Sequence, residues 1–166
     1  MKKREFPYEV FRLASSLLPH LSNIFEECEI SPMDLFVLSH IKHFGKDFDN
    51  GLKIFLRADM TDLLKRVFRE SDSAIAKNIN KLRDRDFLAG IRIRPDEKKK
   101  LFGKEGGRML ALVLREPGLA KIDEFSGKVG DLFIRLTLSM PAASFSTATK
   151  ALEEFAEAAI KRVDSL

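Results

Sequence analysis

Between Asp59 and Leu88 the sequence carries two short amphipathic helix patterns back to back, and this pair constrains the fold more than any other feature. The first pattern holds Met60, Leu63, Leu64, Val67 and Phe68 at helical steps, with Asp59 or Thr61 as its cap. The second holds Ile75, Ile79 and Leu82, with Leu88 as a further candidate, and Ser71 or Ser73 as its cap. Arg69 to Asp72 reads as a tight connection between them.

A hairpin pattern comes next. Leu88 to Arg94 alternates in part, with Ile91 and Ile93 on one face and Arg92 and Arg94 on the other. Pro95 ends that strand. The tip, Asp96 to Gly107, carries Lys98, Lys99, Lys100 and Lys104 with glycines at 103, 106 and 107. Arg108 to Arg115 reads as the returning strand, stopped by Pro117 and Gly118.

Helices are predicted on both sides. From Pro7 to about Glu26, Phe11, Ala14, Leu17, Leu18, Leu21, Ile24 and Phe25 recur with the period of one helical face, and Pro19 predicts a kink or break. Ser31 suits an N-cap, Pro32 the first turn and Asp34 the positive end of the dipole of a second helix. Its stripe is Leu35, Leu38, Ile41 and Phe44, with Gly45 as its C′ stop. Lys46 to Gly51 reads as a turn and Lys53 to Arg57 as a small strand. After the hairpin, a helix from Leu119 to about Met140 aligns Ile122, Phe125, Val129, Phe133 and Leu136. Pro141 to Ser144 breaks it, and Ser146 to Val163 forms a last helix bearing Leu152, Phe155, Ala156, Ala159, Ile160 and Val163.

Composition narrows the function classes. The chain has 166 residues, 45% hydrophobic, enough for one core. The single cysteine, Cys28, rules out an intrachain disulfide and suggests a reducing compartment. The longest uncharged stretches, Leu13–Phe25 and Leu136–Thr149, fall short of the ~18–20 apolar residues a membrane span needs. Met1 to Arg4 imitates a signal-peptide n-region, but Glu5, Glu9 and Arg12 interrupt the stretch after it, where an apolar run would have to stand. The expectation is a soluble, cytoplasmic protein that binds no membrane. The net charge of +4 is uneven: Met1–Leu64 carries −2, Lys65–Arg108 +7 and Met109–Leu166 −1. All of the excess positive charge lies in the helix pair and hairpin, as one face adapted to a polyanion requires.

The order of helix, helix, small strand, helix, tight turn, helix, basic hairpin and two long helices resembles the MarR-type winged-helix transcriptional regulators over nearly the whole chain. Ser73 to Leu88 (Ser-Ala-Ile-Ala-Lys-Asn-Ile-Asn-Lys-Leu-Arg-Asp-Arg-Asp-Phe-Leu) looks like the family's recognition helix and its exit into the wing. Arg108 to Gly118 is similar to its second wing strand and the cap of its next helix. Two departures stand out. The family often has glycine where Asp86 sits, and its wing usually carries an Asp-x-Arg triplet that is absent here. Asp96 with the lysines, or Glu105 with Arg108, are the candidate substitutes.

The physics of groove reading leads the same way. At 100° per residue, the face opposite Ile75, Ile79 and Leu82 contains Ser73, Lys77, Asn80, Lys81 and Asp84. Asn80 suits a bidentate contact to adenine and Lys77 a contact to guanine, while Ser71 and Ser73 near the helix start suit phosphate. Asp84 is expected beyond the DNA edge. In the wing, Arg92, Arg94, Lys98, Lys99, Lys100, Lys104 and Arg108 would meet backbone or minor groove. The plainer alternatives are a solvated amphipathic helix and a loose charged loop.

The remaining candidates are weaker. His40 and His43, three apart on one helix, with His20 elsewhere, make a pair rather than a metal site. Glu26, Glu27 and Glu29 around Cys28 disfavour the reactive thiolate. Gly103-Lys104-Glu105-Gly106-Gly107 lacks the strand-to-helix context of a phosphate-binding loop, and no catalytic constellation appears. Phe11, Phe36 and Phe133 suit either the effector pocket that the resemblance implies or plain core, and core is the better reading.

The expectation is therefore a mainly α chain with a small β-hairpin wing. Residues 1–30 form an N-terminal dimerisation helix, 31–117 a winged helix-turn-helix DNA-binding module and 118–166 C-terminal dimerisation helices. The implied function is sequence-specific double-stranded DNA binding by a homodimeric, non-enzymatic transcriptional regulator without cofactor, with release by a small-molecule effector as a family trait. The alternative is a winged-helix module that binds protein and not DNA.

Overall fold

A computed structural model of the chain describes residues 8–48, 51–105, 107, 109–139, 146 and 150. The elements are α1 (Tyr8–Glu27), α2 (Pro32–Phe44), β1 (Lys46–Asp47), β2 (Lys53–Leu56), α3 (Arg57–Phe68), α4 (Asp72–Asp84), β3 (Leu88–Ile93), α5 (Pro95–Phe102), β4 (Met109–Leu114) and α6 (Glu116–Ser139). They fall into two compact units, one holding α1 with α6 from Ser126 onward, the other Cys28–Phe125.

In the second unit, the strands form one antiparallel sheet in the order β1-β2-β4-β3. Leu56 pairs with Ala111 and Ile93 with Met109, which places Ile54, Leu56, Ile93, Ala111 and Val113 in one buried cluster. The expected turn at Lys46–Gly51 contains β1, whose residues Lys46 and Asp47 pair with Ile54 and Lys53. A two-residue edge strand carries no apolar alternation, so its sequence resembles a turn.

The helix ends follow local chemistry, with two exceptions. Ser31 Oγ accepts the Asp34 N–H at 3.1 Å and Asp34 Oδ2 accepts the Ser31 N–H at 2.8 Å, a reciprocal capping box behind Pro32. Gly45 ends α2 as expected, but in an extended conformation (φ −63°, ψ 148°), where a left-handed one is usual at this position. Glycine is needed there for closeness: a Cβ would lie 2.4 Å from the Ile41 carbonyl oxygen. The second exception is α3, which starts at Arg57 directly off β2, so Asp59 and Thr61 lie inside it. Its cap position is Leu56, fully buried and without a side-chain cap bond. Burial of Leu56 in the sheet core outweighs the ~1 kcal/mol that a polar cap contributes.

The expected loop at the hairpin tip is largely a helix. Pro95 ends β3 as anticipated, but it also opens α5, with Glu97 accepting the Arg94 N–H at 2.9 Å. Leu101 and Phe102 pack against the sheet cluster, and Gly103 leaves the helix in the left-handed region (φ +63°). Similarly, Pro117 and Gly118, read as strand stops, lie in the first turn of α6.

In the first unit, α1 runs through Pro19 without a break, Leu17 and Ile24 are buried, and Lys128 on α6 pairs with Glu27 at 2.7 Å. The last predicted helix, Ser146–Val163, lies almost wholly outside the described residues. No helix among the described residues is long and apolar enough to cross a membrane.

Candidate nucleic-acid interface

The chain turns from α3 into α4 through Arg69 in the left-handed region (φ 56°). Ser71 then caps α4, its Oγ accepting the Ala74 N–H at 3.3 Å and lying 3.0 Å from Ser73 Oγ. Ile75, Ile79 and Leu82 are fully buried, so the rotation of α4 is set by its apolar face. The opposite face is exposed as the helical period predicts. Ser73, Lys77, Asn80, Lys81 and Asp84 line one open, shallow groove with Ala76 and Arg85.

Lys77 makes no ion pair with any described residue, whereas Lys81 differs from expectation. Its Nζ donates to Asp34 Oδ2 at 2.9 Å, while Asn78 Nδ2 donates to Asp34 Oδ1 at 2.6 Å. Asp34 is fully buried. Burial alone would raise its carboxyl pKa, but the Ser31 N–H, the Lys81 ammonium and the Ser31 hydroxyl outweigh this and hold it below the ordinary value. A residue read from sequence as a helix-end charge thus joins α2 to the outward helix.

Arg85 is a groove residue that the sequence reading missed. Its guanidinium lies over the Phe87 ring at 4.6 Å and donates to the Glu29 carbonyl. The available signal was its position one turn beyond Lys81. Next to it, Asp86 adopts a left-handed conformation (φ 59°), with Oδ1 2.8 Å from Arg115 Nη1. Aspartate is among the few residues besides glycine that tolerate this conformation.

The wing residues divide. Arg92, Arg94, Lys99, Lys100 and Lys104 are exposed. Arg94 is paired with Glu97 at 3.2 Å and lies 4.0 Å from Asp96, and the Arg94 N–H and guanidinium hold the Glu97 carboxyl below its usual range. Lys99 pairs with Glu105 at 2.8 Å. Lys98 is a correction: it is turned inward, only 5% exposed, with Nζ donating to the Glu105 carbonyl at 2.7 Å. Helical rotation along α5 puts position 98 on the face toward the sheet. Lys104 is also committed, with its ammonium 2.7 Å from both carboxylate oxygens of Asp59 on α3. Arg92 and Lys100 make no ion pair with a described residue, and Arg108 lies outside the described residues.

Of the aromatic residues singled out for an effector pocket, Phe36 is half-buried and Phe133 exposed, and the Phe11 side chain lies outside the described residues. His40 stacks on Phe36 (5.6 Å), lies tilted against Phe44 (4.7 Å) and meets Phe55 edge-on (4.9 Å), and burial lowers its pKa. Phe36 also meets Phe68 edge-on at 5.4 Å. Among the described residues no three His, Cys, Asp or Glu side chains converge to hold a metal ion. Cys28 is fully buried.

No protein-family model matches the sequence, and no curated protein matches it. Solved structures do. An S. aureus MepR mutant bound to an oligodeoxyribonucleotide superposes with a TM-score of 0.57 at 12% identity, covering 93% of this chain and 99% of the other. A mutant MarR from E. coli gives 0.57 at 17% identity, covering 87% and 93%. NadR in complex with 4-hydroxyphenylacetate gives 0.53 at 12% identity, covering 94% and 95%. The fold is that of the MarR-type winged-helix regulators. At these identities the likeness concerns architecture alone.

Proposed function

We propose that this chain is a sequence-specific, double-stranded-DNA-binding transcriptional regulator acting as a homodimer. The observation that carries the reading is the exposed face of α4, where Ser73, Lys77 and Asn80 share one open groove behind a fully buried Ile75-Ile79-Leu82 seat. A helix so seated presents base-reading side chains to the major groove while Ser71 and Ser73 meet phosphate at its positive end. Arg92 and Lys100 supply backbone contacts from the wing. The MepR structure with its oligodeoxyribonucleotide has the same fold, which supports this mode of use.

The dimer is supported by apolar side chains left exposed on the long helices: Leu18 on α1, and Phe133, Ile134 and Leu138 on α6. A two-fold pair would set two recognition helices about 34 Å apart and read an inverted repeat. Release by a small effector, in the cytoplasm, completes the reading; the ligand in the NadR structure supports it. A ligand that favours one spacing of the two DNA modules shifts the population between them.

Selection of bound duplexes from a random pool tests the reading. An inverted repeat is the expected product. Absence of binding even at low salt overturns it and favours a protein-binding module.

A further inference from the structure

The buried carboxylate beneath the recognition helix has a consequence for specificity. Asp34 Oδ2 accepts from Ser31 N–H at 2.8 Å and from Lys81 Nζ at 2.9 Å, and Oδ1 accepts from Asn78 Nδ2 at 2.6 Å. The carboxylate has no exposed surface and cannot follow an ammonium outward; the Lys81 side chain is about half exposed (49%). Moving the amine onto a DNA phosphate would leave a buried anion without its cation, a loss that typically exceeds the gain from one solvent-screened phosphate contact.

We propose that Asp34 is a specificity-determining residue of the DNA-reading face, which keeps the Lys81 amine out of the set of cations that meet the DNA backbone. The proposal rests on the DNA-binding reading above. With Lys81 held, Lys77 is the cation on the outward face of α4 that makes no ion pair with a described residue, and Asp84 lies beside it. Sequence-independent attraction by this helix is correspondingly weak, and discrimination falls to side chains that meet base edges. Asp34 thereby acts through another residue, as a positioning group.

The test is salt-dependent binding of the full chain to a random-sequence duplex, comparing wild type, Asp34→Asn, Lys81→Ala and the double variant. Asp34→Asn keeps the side-chain shape and removes the charge that holds Lys81. It should steepen the slope of log K against log salt by ~0.9, so that affinity falls about threefold further between 50 and 200 mM salt. Lys81→Ala alone should leave the slope unchanged, and in the double variant it should abolish the steepening. A purely structural role for Asp34 would lower the folded fraction without steepening the slope. The proposal is overturned if Lys81→Ala alone flattens the slope by ~0.9, or if folded Asp34→Asn binds with the wild-type slope. Should Asp34→Asn fail to fold by circular dichroism, the Lys81→Ala slope decides alone. Absence of any duplex binding by wild type at low salt would instead overturn the DNA-binding reading itself.

Discussion

The Lys104 ammonium sits 2.7 Å from both carboxylate oxygens of Asp59, tying the segment after the wing helix to α3. A lysine that composition places among the DNA contacts is thus held by the protein itself. Lys104→Ala should leave the salt slope of duplex binding near the wild-type value, whereas Lys100→Ala should flatten it by ~0.9. The ion pair is partly exposed, so its loss should cost less than ~1 kcal/mol in urea denaturation.

Lys77 and Asn80 stand on the outward face of α4. Lys77→Ala and Asn80→Ala should each reduce discrimination between the selected site and a mismatched one by about 1–3 kcal/mol, read by competition binding. Unchanged preference in Asn80→Ala would mean that a different face of α4 meets the bases.

Asp34 should govern acid stability. Its carboxyl titrates below the ordinary value in the folded chain, so the unfolded chain takes up the proton first as pH falls. The stabilisation is fully present above the ordinary carboxylate pKa and is lost as pH drops through the lower folded value. Asp34→Asn should flatten that acid limb. At neutral pH, Asp34→Ala, which leaves Asn78, Lys81 and the Ser31 N–H without their acceptor, should cost about 3 kcal/mol in chemical denaturation.

His40 contributes a step at milder acidity. Burial among Phe36, Phe44 and Phe55 lowers its pKa in the folded state. Its effect on stability is therefore constant above the unfolded histidine pKa, about 6.5, and stability declines as pH falls below it. His40→Phe should remove that decline, measured as thermal unfolding midpoints between pH 5 and 8.

Asp86 tests the backbone at the exit of α4. Asp86→Gly should be tolerated, losing only the exposed pair with Arg115, worth less than ~1 kcal/mol. Asp86→Val should cost about 2 kcal/mol, because a β-branched side chain clashes at φ 59°.

Much of this protein is set by its sequence alone, because short-range patterns act within one or two helical turns. The apolar period of Ile75, Ile79 and Leu82 determined which face of α4 turns inward, and so that Ser73, Lys77 and Asn80 turn outward. Ser31, Pro32 and Asp34 determined where α2 begins, since capping needs only neighbours three residues apart. The strands of the wing were legible too, β3 from its partial alternation and β4 as an apolar run. Tertiary structure alone decided which cations remain available. Asp34 meets Lys81 across 47 residues and Asp59 meets Lys104 across 45, separations at which sequence carries no spacing signal. The rotation of α5 that buries Lys98 arises the same way, from Leu101 and Phe102 seeking the sheet cluster. Charge count is a property of the chain, but the neutralisation of each charge depends on what the fold brings within a few ångströms of it.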